Sequence, residues 1–288
     1  MAFSSSLSPL PLFLLLLLLP NDLSAQTYTN ISLNTTFTPL GPPTSWLSPS
    51  GDFAFGFRRL EANPSLYLLA VWFDKIPNKT VVWTANGANP VTVESKAELT
   101  SDGQLSLKDS TGQEVWNANV NSAAYASMLD TGNFVLSSAA TGTIWQSFDH
   151  PTDTILPGQV VNRGTSIFAK LTDDDYSPGR FALILEDGGN ICLKPIAYPS
   201  SFKYRPYFCS STNGTTDMLV FNGSSGSLYL SFSNNNSVLF TVFPAPADTA
   251  VGDNYLRATM DPDGVFRSLS LSLTHTHTLH WPFNFVII

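Results

Sequence analysis

Charge is scarce in this sequence. Lys and Arg together number 14 and Asp and Glu 22 among 288 residues, a net charge of −8. No basic stripe is available to neutralise phosphates, so neither nucleic acid nor an anionic membrane surface is an expected partner. Cysteine is limited to Cys192 and Cys209, and three of the four histidines, His275, His277 and His280, fall in one short C-terminal stretch. Two cysteines cannot complete a tetrahedral zinc site, so no metal is expected. Sustained i, i+3, i+4 apolar stripes are missing, and prolines interrupt most windows long enough to hold a helix. There is no Gly-rich loop followed by a strand lysine, no HRD and no DFG, so phosphoryl transfer is not expected of this chain. His150 stands beside Asp149 and Asp153 without a nucleophile, which makes no catalytic site. The chain is read as a non-enzyme that needs no cofactor.

What is present begins with a leucine run, Leu14 to Leu19, between Pro11 and Pro20. It is too short for the roughly 20 residues that span a bilayer. Followed by Leu23, Ser24 and Ala25, it reads as a secretory signal peptide over residues 1–25, although Met1 to Ser8 carries no Lys or Arg. An exported chain meets an oxidising compartment, where Cys192 and Cys209 are expected to pair and close a loop worth roughly 3 kcal/mol. Spacing alone is equally compatible with two buried thiols. Six N-x-S/T sequons, at Asn30, Asn34, Asn78, Asn213, Asn222 and Asn235, become glycan acceptors in that compartment and place their segments on the surface.

From Gly51 onward the apolar pattern has period two. Phe53, Phe55 and Phe57 alternate with Ala54 and Gly56, giving one aromatic face. Short runs of the same kind recur along the chain, each bounded by turn chemistry such as Asp102-Gly103, Thr131-Gly132, Asp187-Gly188, Ser225-Gly226 and Asp263-Gly264. The mature chain is therefore expected to be all-β. The words SDGQLSL, DTGNFVL, DGGNICL, SSGSLYL and DPDGVFR share a turn glycine followed by alternating apolar positions, which points to a repeated hairpin unit, as in barrels, propellers and prisms.

Longer words narrow the choice. Thr80 to Val91 reads TVVWTANGANPV, Glu114 to Asn117 reads EVWN, and Ile144 to Gly158 reads IWQSFDHPTDTILPG. In this order and spacing they closely resemble the bulb-type lectin domain of plant G-type lectin S-receptor-like serine/threonine kinases. SPGRFALILEDGGN at Ser177 to Asn190 and the run from Tyr255 to Arg267 look like the second half of such ectodomains, so the resemblance covers about Thr27 to Arg267. It implies tandem β-prisms (β-prism II), each of three four-stranded sheets about a pseudo-threefold axis. The expected layout is a signal peptide at 1–25, a bulb-type lectin domain at 26–153, a second lectin-like β domain at 154–267 and a tail at 268–288. Trp72, Trp83, Trp116 and Trp145 are the expected axial core, each indole finding a hydrogen-bond partner. The tail, SLSLSLTHTHTLHWPFNFVII, alternates as a strand does and also as a translated dinucleotide repeat does; it is read as lying outside the fold, in a chain truncated before the kinase.

Lectins similar to this domain bind mannose through Q-x-D-x-N-x-V-x-Y, whose period of two puts five side chains on one face of a strand. Acid and amide groups meet sugar hydroxyls there, and the valine meets ring carbons. Here the five positions are Leu129, Thr131, Asn133, Val135 and Ser137 in one hairpin, where Asn133 and Val135 match. They are Thr100, Asp102, Gln104, Ser106 and Lys108 in another, where Asp102 matches. Around Asn190 they are Glu186, Gly188, Asn190, Cys192 and Lys194. None is complete, and Asp102, Asn133 and Asn190 also suit hairpin turns. The acidic run Asp173 to Asp175 lacks calcium-loop spacing and reads as a solvated loop. The resemblance implies a secreted or cell-surface recognition ectodomain meeting mannose-type glycans through a degenerate motif. The other readings are a sugar-blind module that binds another ectodomain and a truncated gene product.

Overall fold

The computed structural model describes residues 30–212, 216–232, 237–246, 254–272 and 283–287. The expected signal peptide, the sequons at Asn213 and Asn235, and His275, His277 and His280 lie outside the described residues.

Alternating side chains between glycine-centred turns form strands paired throughout in antiparallel fashion, in six sheets of four. The first half contributes three of them. Ile31–Ser32, Tyr125–Met128, Phe134–Ser138 and Gly142–Gln146 make one; Thr35–Phe37, Lys96–Leu99, Leu105–Lys108 and Glu114–Asn117 make the next; Ser45–Leu47, Phe53–Arg59, Tyr67–Phe73 and Val81–Thr84 make the third. Three short leading strands thus run in succession, and three strand triplets return to them in reverse order. The second half repeats this nesting, from the leading strands Thr154–Ile155, Val160–Asn162 and Ser166–Lys170. The chain is a tandem β-prism, and its helical turn among the described residues is the short 3₁₀ segment Ser147–Asp149.

The first prism closes on aromatic side chains. Phe53, Phe55 and Phe57 all point into one core, as their alternation predicts, and Phe55 stacks on Phe134 with centroids 3.8 Å apart. Along the axis Trp83, Trp116 and Trp145, one from the last strand of each sheet, meet edge to face with all three centroid separations at 5.9 Å. Such edge-on contacts let the positive rim of one ring meet the negative face of the next. The Trp83 indole donates to the His150 carbonyl at 2.8 Å, and the His150 ring stacks on Trp145 at 5.3 Å, so the start of the connection between the prisms is fastened to the axis. Gly103, at φ +78°, is required where the chain crosses close by: a Cβ there would lie 2.3 Å from backbone atoms of Ala123.

Two expectations are corrected. Trp72 does not join the axis. It lies on the opposite face of its sheet, with Ala54, Leu68 and Ala70, because Val71 and Phe73 take the core-facing positions of that strand; its indole donates to Asp74 Oδ1 at 2.8 Å. The fold also continues past Arg267. Phe266–Ser272 is a single strand paired along its length with Asn254–Met260, and Phe283–Ile287 completes that sheet. The Ser/Leu alternation suits a strand of period two: Leu269 and Leu271 are each 4 % exposed, and Leu271 belongs to the first core.

The second prism is built around Ile, Leu and Phe, including Phe221, Phe243 and Phe266. Cys192 and Cys209 face each other on neighbouring strands and are joined by a disulfide. The halves are tied together by Tyr255, which packs on Phe73 at 4.9 Å and donates to Asp52 Oδ1 at 2.7 Å. Burial pushes the Asp52 carboxyl up, but hydrogen bonds from Tyr255, Lys75 and Ser50 outweigh it and hold the group below the ordinary carboxylate range.

Removing residues 268–288 strips two buried leucines and the outer strand from this sheet. At about 2–5 kcal/mol for each large apolar side chain lost from a core, against a total of roughly 5–15, the shortened chain is expected to fail to fold its second half. Comparing secretion yield and thermal unfolding of residues 26–267 with 26–288 checks this; equal behaviour would place the tail outside the fold.

Candidate functional site

The hairpin with two motif matches turns through residues 129–133, where Leu129 N–H donates to the Asn133 carbonyl and Gly132 takes φ +84°. Phe134 and Leu136 enter the core, which places Asn133, Val135 and Ser137 on the other face. These three are closed off, at 7 %, 4 % and 5 % exposed, whereas Leu129 is half-buried and Thr131, which stands where the motif has its acid, is exposed. The Asn133 amide is engaged on both sides. Its Nδ2 donates to Gln146 Oε1 at 2.8 Å, and its Oδ1 accepts from Ser147 Oγ at 3.2 Å and from the Phe148 N–H at 3.3 Å. Ser147 Oγ in turn accepts from the Phe134 N–H at 3.0 Å, and Gln146 Nε2 donates to Asp149 at 2.9 Å. Asn133 thereby fixes the 3₁₀ turn Ser147–Asp149 against its hairpin. Gln146 and Ser147 were not singled out from the sequence, although both sit inside the long family word.

The second hairpin is occupied differently. Asp102 is exposed, but its carboxylate accepts from Thr100 Oγ1 while its carbonyl accepts from the Ser122 N–H. Thr100 Oγ1 also accepts from Gln104 N–H, Ser106 is buried, and Lys108 lies 3.9 Å from Glu98. In the second half, Glu186 and Lys194 pair with each other, Asn190 Oδ1 accepts from Thr212 Oγ1 at 3.2 Å, and Cys192 is in the disulfide. The second set is thus divided between a turn and an ion pair, and the third between an ion pair, a hydrogen bond and the disulfide.

The remaining sheet of the first half, Ser45–Leu47 to Val81–Thr84, has its outer face covered. Ala54, Leu68, Ala70 and Trp72 pack with Tyr176 from the second half. Close approach is required here: a Cβ on Gly87 would lie 2.4 Å from the Tyr176 carbonyl oxygen. A sequence signal for this contact existed. All seven residues of Tyr67–Phe73 are buried, and a continuous apolar run of that kind marks a strand covered on both faces.

Below Tyr176 the two halves enclose a cavity of about 470 Å³ bounded by Arg58, Asn78, Asp153, Tyr176, Arg257 and Asp261 among others. Asp153 is 7 % exposed; burial raises its carboxyl, and the charges of Lys170 and Arg257 only partly oppose that. Burial, and then the Asp153 charge, push the Tyr176 phenol up to about 12, so it stays a neutral hydroxyl. Asp153, near His150 in the sequence, thus borders an inter-prism cavity, whereas Asp149 is exposed. The acidic run Asp173 to Asp175 forms a hairpin end in which Asp175 Oδ1 accepts from the Ser177 N–H at 2.9 Å. Among the described residues no group of three His, Cys, Asp or Glu side chains is arranged to hold a metal. Asn30, Asn34 and Asn78 are exposed and Asn222 half-buried, its Oδ1 accepting from the N–H groups of Ser224 and Ser225.

Comparison with known proteins finds similarity along most of the chain. Residues 80–172 match a family model described as D-mannose binding lectin. The chain is 49 % identical over 269 residues to G-type lectin S-receptor-like serine/threonine-protein kinase LECRK1 of Oryza sativa subsp. indica, covering 89 % of this chain and 32 % of that protein. It is 41 % identical over 207 residues to G-type lectin S-receptor-like serine/threonine-protein kinase RLK1 of Arabidopsis thaliana, covering 67 % of this chain and 25 % of that one. The chain thus spans about a third or less of the length of these curated relatives. Among solved structures, a two-domain fetuin-binding agglutinin of Scilla campanulata aligns over 90 % of this chain and 98 % of its own, at 14 % identity and a TM-score of 0.31.

The raised Asp153 carboxyl has a pH consequence. Its contribution to stability is complete below the ordinary value of 3.8 and is lost as pH rises through the higher folded value. Asp153→Asn removes that loss, so the variant should gain on the parent from about pH 4 toward neutrality, by about 1.4 kcal/mol for each pH unit of elevation. Denaturant titrations across that range check it; a constant difference would contradict a buried, charge-penalised carboxyl.

Proposed function

Because the chain carries a bulb-type lectin domain and is 46–49 % identical over most of its length to rice G-type lectin S-receptor-like kinases, we propose that it serves as an extracellular recognition ectodomain of that class, in which the hairpin mannose positions have become scaffold. The matched domain is a sugar-binding rather than a catalytic one, and the kinase of the relatives belongs to the part of their length not spanned here. The observation that carries the reading is Asn133, the best-matched motif position, whose amide oxygen accepts two bonds and whose nitrogen donates to Gln146 within the protein. A sugar hydroxyl at that point would have to break a buried hydrogen bond, at a cost of about 1–3 kcal/mol, to make an equivalent one.

The proposed layout is an exported, glycosylated chain with one prism over 26–153 and a second from 154 onward. Its ligands are mannose-type glycans or another ectodomain. The second class is favoured by the loop inside the disulfide. Tyr198, Phe202, Tyr204 and Tyr207 are 54 %, 62 %, 53 % and 44 % exposed there, alongside Lys203 and Arg205. Tyrosine and arginine of this kind dominate protein-binding hot spots.

Calorimetric titration of secreted residues 26–288 with mannose, followed by a glycan array, tests the proposal. No heat is expected at millimolar mannose. Binding abolished by Asn133→Ala with the fold retained would restore the hairpin as a sugar site and overturn this reading.

A further inference from the structure

The sequon at Asn78 stands in an unusual place. Asn78 is exposed on the turn between the Tyr67–Phe73 and Val81–Thr84 strands, and all three sequon residues, Asn78, Lys79 and Thr80, border the cavity between the prisms. The turn projects from the first half, Tyr176 and Arg257 close the cavity from the second, and Asp153 borders it from the junction between them. At about 470 Å³ the space falls within the range of ligand sites, roughly 300–1,000 Å³.

Its lining selects a chemical class. Five basic and five acidic side chains border the cavity, so their charges balance, and Tyr176, Thr80 and Thr259 add hydroxyl groups. A charged occupant would leave one sign without a partner. A neutral group that both donates and accepts hydrogen bonds satisfies both signs, and a buried carboxylate such as Asp153 gains from a hydroxyl donor without a second charge being buried. Hydroxyl and acetamide groups of an N-linked sugar have this character.

We propose that Asn78 carries an N-linked glycan whose first sugar residues fold back into this cavity and clamp the two prisms together. In forming it, the Asn78 amide nitrogen displaces the lipid diphosphate of a lipid-linked oligosaccharide from the anomeric carbon: a C–N bond replaces the C–O bond, and the amide gives up one proton. The occupant is covalently tethered at the rim, so it arrives at high effective concentration and needs little affinity of its own. The proposal rests on the reading of the chain as an exported glycoprotein, and it extends that reading by giving one glycan a structural place.

Glycopeptide mass spectrometry of the full chain, secreted from eukaryotic cells, measures occupancy at Asn78, Asn30 and Asn34. Hydrogen exchange then compares the wild type with Asn78→Gln, with Thr80→Ala, which removes the glycan and keeps the asparagine, and with Asn30→Gln. Both cavity variants are expected to raise exchange severalfold across residues 153–156, 170–176 and 257–260, and Asn30→Gln to leave those segments unchanged. A bare Asn78 beside an occupied Asn30 or Asn34, or an occupied Asn78 whose removal leaves exchange unaltered, overturns the proposal alone. No glycan at any of the three sites overturns the exported-glycoprotein reading with it.

Discussion

The first prism depends on three indoles meeting on one axis. Trp83, Trp116 and Trp145 stand at equal separations, each brought in by the last strand of a different sheet. Each sheet of four short strands turns an apolar face inward; joining three of them around aromatic side chains gives each the second layer that face needs. Because the axis is fastened to His150 through the Trp83 hydrogen bond and the Trp145 stack, closure of the prism also fixes where the chain leaves for its second half. The long word around Phe148 thus works as a joint, with Gln146, Ser147 and Asp149 on one side and buried Asp153 on the other.

That joint explains what has become of the outer faces. One sheet of the first prism is covered by Tyr176, and another is knitted by the Asn133 network to the 3₁₀ turn. Asn133 ties its hairpin to the turn from which the chain leaves the first prism, and Tyr176 ties the two halves together. The second half has an aliphatic and phenylalanine core in place of an axial tryptophan trio, and it leans on its neighbour through Tyr255 and Leu271, which pack into the first core.

Much of this was legible in the sequence. Period-two alternation identified the strands, Phe53, Phe55 and Phe57 identified a core face, and three words carried the family. What escaped was whatever depends on contacts distant along the chain. Alternation separates Trp72 from Val71 and Phe73 but cannot say which side is the axis when both faces of the strand are buried. The Ser/Leu tail looks alike as a translated repeat and as a strand; only its pairing with Asn254–Met260 decides. Asn133 matched a sugar motif, and the partners that occupy it lie 13 to 15 residues further on.

Asn133 holds its hairpin to the 3₁₀ turn as internal scaffold, and its side-chain amide protons report this directly. In nuclear magnetic resonance of the labelled chain they should exchange slowly, in keeping with a buried bond to Gln146, and keep their shifts when mannose is added. Rapid exchange, with shifts that move as mannose is titrated, would contradict the central claim.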